Sequence, residues 1–142
     1  MSVGTMAKMR LFTQEEANEL LPEVRALVER LVEERRALVA LGEELEAMQA
    51  LIGGNGGSLD PSRIGELQEA VAQAAAGLTA LVDELHELGV QAKDLDRGLV
   101  DFPARHPERG DTVLLCWELG EAEVAHWHDI DAGFAGRKPL PF

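Results

Sequence analysis

The sequence predicts an α+β protein, mostly α, in which a long antiparallel two-helix hairpin with coiled-coil-like packing precedes a small antiparallel β-meander. Apolar residues recur with heptad spacing up to Leu88, a glycine-rich stretch at 53–59 interrupts them once, and the period changes after Gly89. We expect an N-terminal tail at 1–12, the hairpin at 13–89, and the meander with a C-terminal tail at 90–142. The two parts should pack together as one domain.

Composition narrows the class of protein. The chain has 142 residues and a formal net charge of -13, which disfavours binding to nucleic acid or to anionic membranes because both require a positive surface. One cysteine cannot form an internal disulfide, and the first ten residues lack the apolar core of a signal peptide. We therefore expect a cytoplasmic protein that binds neither nucleic acid nor membrane.

The first helix is predicted over about 14–52. Thr13-Gln14-Glu15-Glu16 is a capping box, and Pro22 inside the first turns predicts a kink or a later start. Glu34 alone interrupts the seam, where it could mark register, reach solvent past a short neighbour, or help to build a metal site between helices. The apolar seam positions are Val24, Leu27, Leu31, Leu38, Leu41, Leu45, Met48 and Ile52.

The second helix is predicted over about 61–88, after a turn that the glycines allow. Its apolar seam positions are Ile64, Leu67, Val71, Ala74, Leu78, Leu81, Leu85 and Leu88. Asp60 is suited to cap it, and Pro61 fits the first helical position because no amide hydrogen is needed there. Further apolar residues widen the stripe beyond one seam, so something else must cover them: either the C-terminal part of the same chain or a second hairpin. We favour the second hairpin, and hence a homodimer through the helices. These further residues are Val28, Val32, Val39, Ala70, Ala75 and Val82.

After Gly89 the pattern predicts a first β-hairpin, with strands at 90–95 and 99–102. The connecting loop Asp96-Arg97-Gly98 would end in a left-handed glycine. Pairing Leu95 with Leu99 places Lys93 opposite Asp101 and Ala92 opposite Phe102.

A second hairpin is predicted from 112–118 and 122–128, with a turn around Gly120. Its register decides which side chains share a face, because a slip of one residue exchanges the two faces. A three-residue loop would group Cys116 with Val124, His126 and His128. A two- or four-residue loop would instead leave Cys116 with Glu118 and Trp127, and the sequence does not choose between them.

The candidate metal ligands are Cys116, Glu121, His126 and His128. Two histidines at positions i and i+2 of a strand point the same way and can share one ion, such as zinc, with Cys116, Glu121 or a nearby aspartate completing the shell. The competing interpretation is that both histidines are surface or partly buried groups with ordinary hydrogen bonds.

Candidate ligand-contacting residues are Trp117, Trp127 and Arg137. Tryptophan rings can stack on a bound cofactor, and Gly133-Phe134-Ala135-Gly136-Arg137 combines flexible backbone with a cation that could hold a phosphate or carboxylate. The alternative is that the tryptophans fill the core and the positive charge of Arg137 balances the negative charge of the acidic helices. Cys116 lies mid-strand, which favours an inert thiol over a nucleophile, so no catalytic residue is assigned.

Four ordered motifs give the chain a resemblance to a known family. They are Leu11 to Pro22, Asp94 to Pro103, Leu115 to Glu121, and Trp127-His128 through Arg137, and they resemble the uncharacterised prokaryotic family named domain of unknown function 2203. The resemblance implies no activity, and His126 lies outside the part of the motif that carries over. It implies that the residues to test are Asp94, Asp96, Asp101, Cys116, Trp117, Glu121, Trp127, His128, Phe134 and Arg137.

Two functions remain open on the sequence. One is a noncatalytic oligomeric scaffold or partner-binding protein that assembles through its helices. The other is a small metal- or cofactor-binding protein, enzymatic or not, with its site on the C-terminal sheet around His128. Bound metal and a defined oligomeric state are the observations that distinguish them.

Overall fold

The computed structural model describes residues 10–54 and 61–142 and contains two helices followed by a five-stranded sheet. Helix α1 spans Gln14–Gly54 and α2 spans Pro61–Glu87. The strands are β1 (Gln91–Asp94), β2 (Leu99–Arg105), β3 (Thr112–Glu118), β4 (His126–Asp129) and β5 (Lys138–Pro139), with a short 3-10 helix at Phe134–Gly136. All strands are antiparallel in the order β1-β2-β3-β4-β5, which confirms the predicted α+β class.

The start of α1 follows from its capping box. The amide of Glu16 donates to Thr13 Oγ1 at 3.0 Å, and the amide of Thr13 donates to Glu16 Oε1 at 3.0 Å. Pro22 lies inside α1 without ending it. The predicted cap at Asp60 falls outside the described residues, as does the predicted glycine-rich turn beyond Gly54. Within the described residues, neither helix has a stretch apolar enough to cross a bilayer.

The two helices pack along the predicted seams. The buried seam residues are Val24 and Leu31 of α1 and Leu67, Leu78, Leu81 and Leu85 of α2. Glu34 lies opposite Gly77, where an added Cβ would be 3.1 Å from Glu34 Oε1, and its carboxylate pairs with Arg30 at 3.5 Å. Glu34 therefore reaches the surface past a short neighbour, which was one of the three interpretations of its position.

The sheet covers only the half of the hairpin nearest to it. Val28 and Val32 are buried in the same apolar cluster as Val100 and Trp117 of the sheet. Within the described residues, the α1 side chains toward residue 51 have no such cover, and Leu51 is 60% exposed. Of the two covers considered from the sequence, the C-terminal part of the same chain is thus the one that encloses Val28 and Val32.

The predicted register of the first hairpin is wrong. Asp101 pairs with Gln91 rather than Lys93, and Leu99 pairs with Asp94, with a bulge between Ala92 and Asp94. The cause is the Asp94 carboxylate: its Oδ1 accepts the amides of residues 96 and 97, each at 3.0 Å, so the loop becomes four residues long. Gly98 ends that loop with φ of 71°, in the left-handed conformation that was predicted.

The second hairpin has a longer connection than predicted, from 119 to 125. The backbone of Val124 bonds to α1 instead of to the sheet. Its amide donates to Asn18 Oδ1 at 2.7 Å, and its carbonyl accepts from Gln14 Nε2 at 2.9 Å. These bonds hold the connection on α1 and delay β4 until His126. In the resulting register Cys116 pairs with His126.

Candidate functional site

The two faces of the sheet have different partners. Phe102, Leu115 and Trp117 lie on the inner face, which packs against the helices. Because side chains alternate along a strand, Asp101 and Cys116 lie on the outer face. His126 and His128 also lie there, since they pair with Cys116 and Leu114. The three-residue-loop alternative predicted that Cys116, His126 and His128 share a face, and they do. It also placed Val124 with them, and Val124 instead lies in the core cluster.

Three outer-face residues form a buried cluster: Asp101, Cys116 and His128. One potential ligand atom from each lies within 4.8 Å of the other two. None of the three residues is more than 3% exposed. Asp101 is on β2, Cys116 is its cross-strand partner on β3, and His128 reaches over β3 from β4, so the cluster requires the whole central sheet.

The hydrogen bonds of His128 define its orientation. Nδ1 lies 2.8 Å from the carbonyl oxygen of Asp129, which can only accept, so Nδ1 carries a hydrogen. Nε2 then faces Asp101 Oδ1 at 3.2 Å. A bare Nε2 would present a lone pair to a carboxylate oxygen. That contact is favourable only if a proton or another cation lies between the two atoms.

Burial raises the pKa values of the other two residues of the cluster, Asp101 and Cys116. Desolvation raises the pKa of the Asp101 carboxyl, and the adjacent His128 offsets part of that rise. Desolvation also raises the pKa of the Cys116 thiol to about 12, with the negative charge of Asp101 acting in the same direction. Without a cation in the cluster, Cys116 is a protonated thiol at neutral pH, unlike an activated nucleophile.

A small cavity of about 130 Å³ opens beside Asp101 and His128. Lys93 of β1 lies at one wall, and its positive charge lowers the pKa of Asp101. Ile130, Gly133 and Phe134 also line the cavity, so the segment after β4 contributes to it. The cluster is therefore next to a space suited to a water molecule or a small ligand.

Glu121 and His126 belong to a second cluster, organised by Arg137. Arg137 Nη2 donates to Glu121 Oε2 at 2.7 Å and lies 2.5 Å from His126 Nδ1. The Arg137 guanidinium also stacks on the Phe134 ring at 4.5 Å. The four sequence-predicted metal ligands are thus divided: Cys116 and His128 lie together, whereas Glu121 and His126 surround a guanidinium.

The three predicted ligand-contacting residues do not converge. Trp117 is fully buried in the core, and its indole Nε1 donates to the carbonyl of Glu121 at 3.0 Å. Trp127 packs against His106 and Phe142, with ring centroids 5.3 and 5.0 Å away. Arg137 lies on the outer face, whereas both indoles lie on the inner face. The arrangement matches core packing for the tryptophans.

Sequence reasoning did not include Asp101 among the candidate metal ligands and gave Lys93 no role at the candidate site. Asp101 was among the residues singled out by the family motif, and the signal for its role was an acidic residue inside an otherwise apolar strand, Leu99-Val100-Asp101-Phe102. To predict that Asp101 contacts His128, one would need the register of β2 with β3 and of β3 with β4. The predicted register placed Lys93 opposite Asp101; that register is wrong, but the bulge between Ala92 and Asp94 still leaves Lys93 at the cavity beside Asp101.

Comparison with known proteins gives one match. No curated protein and no solved structure matches the chain significantly. The family model described as "Uncharacterized conserved protein (DUF2203)" matches residues 10–140, which includes both helices and the whole outer-face cluster. The chain therefore belongs to the DUF2203 family of uncharacterised conserved proteins.

Proposed function

We propose that this protein binds a divalent metal ion of the zinc class through Asp101, Cys116 and His128. The observation that carries the proposal is the contact between His128 Nε2 and Asp101 Oδ1, at 3.2 Å inside a buried site. Because Nδ1 is committed to the Asp129 carbonyl, Nε2 is the nitrogen free to bind a metal. A metal ion would satisfy both the imidazole and the carboxylate.

The residue types and separations fit zinc. Imidazole nitrogen, thiolate sulfur and carboxylate oxygen are its usual ligands, at about 2.0–2.3 Å. Tetrahedral geometry with those bond lengths requires ligand atoms about 3.3–3.8 Å apart. The three atoms here lie within 4.8 Å of each other, so small side-chain movements would suffice.

Charge balance also supports a divalent ion. Burying an isolated carboxylate or thiolate is unfavourable, which is why the pKa values of Asp101 and Cys116 are raised. A dication beside both anions gives a neutral site and reverses that preference. Three protein ligands would leave a fourth position, and the adjacent cavity offers room for water or a small ligand there.

Metal analysis with matched variants tests the proposal. Purified protein, and protein reconstituted with zinc, should contain about one ion per chain by elemental analysis. Cobalt substitution should give the absorption bands of a thiolate-bound ion. Cys116→Ser and His128→Gln should lose the metal, while His126→Gln, altered on the same strand and face, should retain it.

The far-ultraviolet circular dichroism of the helices serves as the folding control for all three variants. The proposal fails if the reconstituted wild type takes up no stoichiometric metal. It also fails if His126→Gln loses the ion while His128→Gln keeps it, because the site would then be the Glu121 cluster.

A second candidate is partner binding or homodimerisation through the hairpin, and its support is the end of the hairpin that the sheet does not cover. Val39 is 38% exposed and Leu51 is 60% exposed, although both belong to the helices. Seam residues Leu41, Leu45 and Met48 are only half-buried. Sedimentation velocity over a micromolar range tests this role: a stable monomer that captures no partner contradicts it.

A further inference from the structure

The cavity beside the Asp101 cluster has an apolar floor and is open to solvent. Its volume is about 130 Å³. An apolar cavity of about 150 Å³ in another protein takes up benzene, so a ligand of roughly five heavy atoms would fit here. Leu99 and Leu114 are buried residues of the outer face and form the floor. Lys93 and Ile130 line the cavity and are exposed, which leaves a path for a small molecule to enter.

Lys93 brings a positive charge to this cavity. Within the described residues it is the only lysine or arginine that lines the cavity. Its ammonium group forms no hydrogen bond or ion pair with any residue of 10–54 or 61–142. Its charge still acts on Asp101, whose pKa it lowers, so it lies near that carboxylate without contacting it. The neighbouring Asp94 does not neutralise it, because that carboxylate accepts the amides of residues 96 and 97.

Charge balance at the metal-loaded site favours an anionic ligand. A divalent ion bound by one carboxylate, one thiolate and a neutral imidazole has no net charge. Two further cations, Arg97 and Arg137, stack on the Phe134 ring of the cavity wall at 4.2 and 4.5 Å. Each of them pairs with a glutamate, at 3.0 and 2.7 Å. Lys93 therefore leaves one positive charge, which a bound monoanion would balance and a water molecule would not.

We propose that this cavity binds a short monocarboxylate, which occupies the open position of the metal ion and pairs with Lys93. The inference rests on the proposed metal site and names the ligand of its fourth position. Asp101 and His128 line the cavity whereas Cys116 does not, so an ion held by all three has its open side toward the cavity. The carboxylate group would bind the ion and the ammonium group, and its hydrocarbon part would pack on the apolar floor.

Propionate is the probe, and propionamide, which has a similar size and no charge, is its neutral match. Elemental analysis first establishes the metal content of the cobalt-loaded full chain. Propionate should then change the absorption bands of the bound cobalt to saturation, and calorimetry on the same sample should give the same affinity. Propionamide should bind about tenfold more weakly, because it lacks the charge that both the ion and Lys93 attract.

Lys93→Gln should weaken propionate binding about three- to tenfold, as expected for loss of one partly exposed charged contact. It should leave the metal content and the binding of propionamide unchanged. Lys138→Gln is the matched control, because it removes the same charge from the other face of the sheet, where Lys138 pairs with inner-face Trp127. Both side chains are exposed, and circular dichroism confirms that both variants fold.

Different failures have different meanings. A chain that takes up no stoichiometric metal contradicts the proposed function and this inference with it. One ion per chain without a saturable response to propionate contradicts this inference alone, as does calorimetric binding that leaves the cobalt bands unchanged. Equal affinity for propionamide would show that charge is not selected.

The variants separate the remaining outcomes. Equal weakening by Lys93→Gln and Lys138→Gln would indicate only the general charge of the protein, and would overturn the role of Lys93. Lys93→Gln that lowers the metal content but not the propionate affinity would also overturn it, since Lys93 would then only balance Asp101.

Discussion

Cys116 makes the stability of the protein sensitive to alkaline pH. The thiol has no exposed surface, and burial raises its pKa from an ordinary value of 9.0 to about 12. In the unfolded chain the thiol ionises near pH 9, whereas in the folded metal-free protein it stays protonated to about pH 12. The unfolded state therefore gains a favourable ionisation that the folded state lacks. The contribution of this thiol to stability is fully present below pH 9 and is lost as the pH rises toward 12.

The magnitude follows from the two pKa values. Each pH unit above the unfolded pKa and below the folded pKa costs about 1.4 kcal/mol of unfolding free energy. We expect a loss of about 1.4 kcal/mol from this group at pH 10, one unit above the unfolded pKa, and about twice that at pH 11. The absence of tyrosine simplifies the measurement, because no phenol titrates in the same range.

Urea unfolding of metal-free wild type and Cys116→Ala, from pH 8 to 11 under reducing conditions, measures the effect. The variant is expected to be less stable at pH 8, but its free energy of unfolding should fall less steeply with pH. The gap between the two proteins should narrow by the amounts given above. Parallel pH profiles would refute the reasoning, since they would mean that the thiol ionises equally in both states.

Three other predictions test the fold and the site. In chemical unfolding, Gly98→Ala should destabilise the fold by about 2–4 kcal/mol, because φ is 71° and the new Cβ would lie 2.8 Å from a Leu119 carbon. The control Gly110→Ala, which has positive φ but open space around the new Cβ, should cost about 1 kcal/mol. Equal costs for the two variants would contradict this prediction. Leu31→Ala should lower the free energy of unfolding by about 2–5 kcal/mol, because Leu31 is buried, and Leu45→Ala should lower it by about 1 kcal/mol or less, because Leu45 is half-buried. A larger effect of Leu45→Ala that grows with protein concentration would instead indicate dimerisation through the hairpin. Zinc binding near pH 8 should release at least one proton, from the Cys116 thiol. Calorimetry in buffers of different ionisation enthalpy measures this release. Zinc uptake without proton release would exclude ligation by the thiolate.

Local patterns were sufficient for the helical half of the fold. Heptad spacing and the capping box depend on residues close in sequence, so they located α1 and its first turn, and Leu31 and Leu81 are buried as their positions predicted. The same patterns did not reveal what covers Val28 and Val32, because a stripe of apolar residues specifies burial without specifying the partner.

The sequence by itself determined the residue types of the outer-face cluster and placed Cys116 and His128 on strands. Only the tertiary structure decided that Asp101 joins them and that Arg137 holds Glu121 and His126 apart from them. The physical reason is register: the Asp94 carboxylate lengthens one loop, and the bonds of Val124 to α1 lengthen another. The Asp94 bonds are local and set only the pairing of β1 with β2. The bond between Val124 and Asn18 joins residues 106 positions apart and sets which β4 side chains meet those of β3, so no spacing along the chain encodes it.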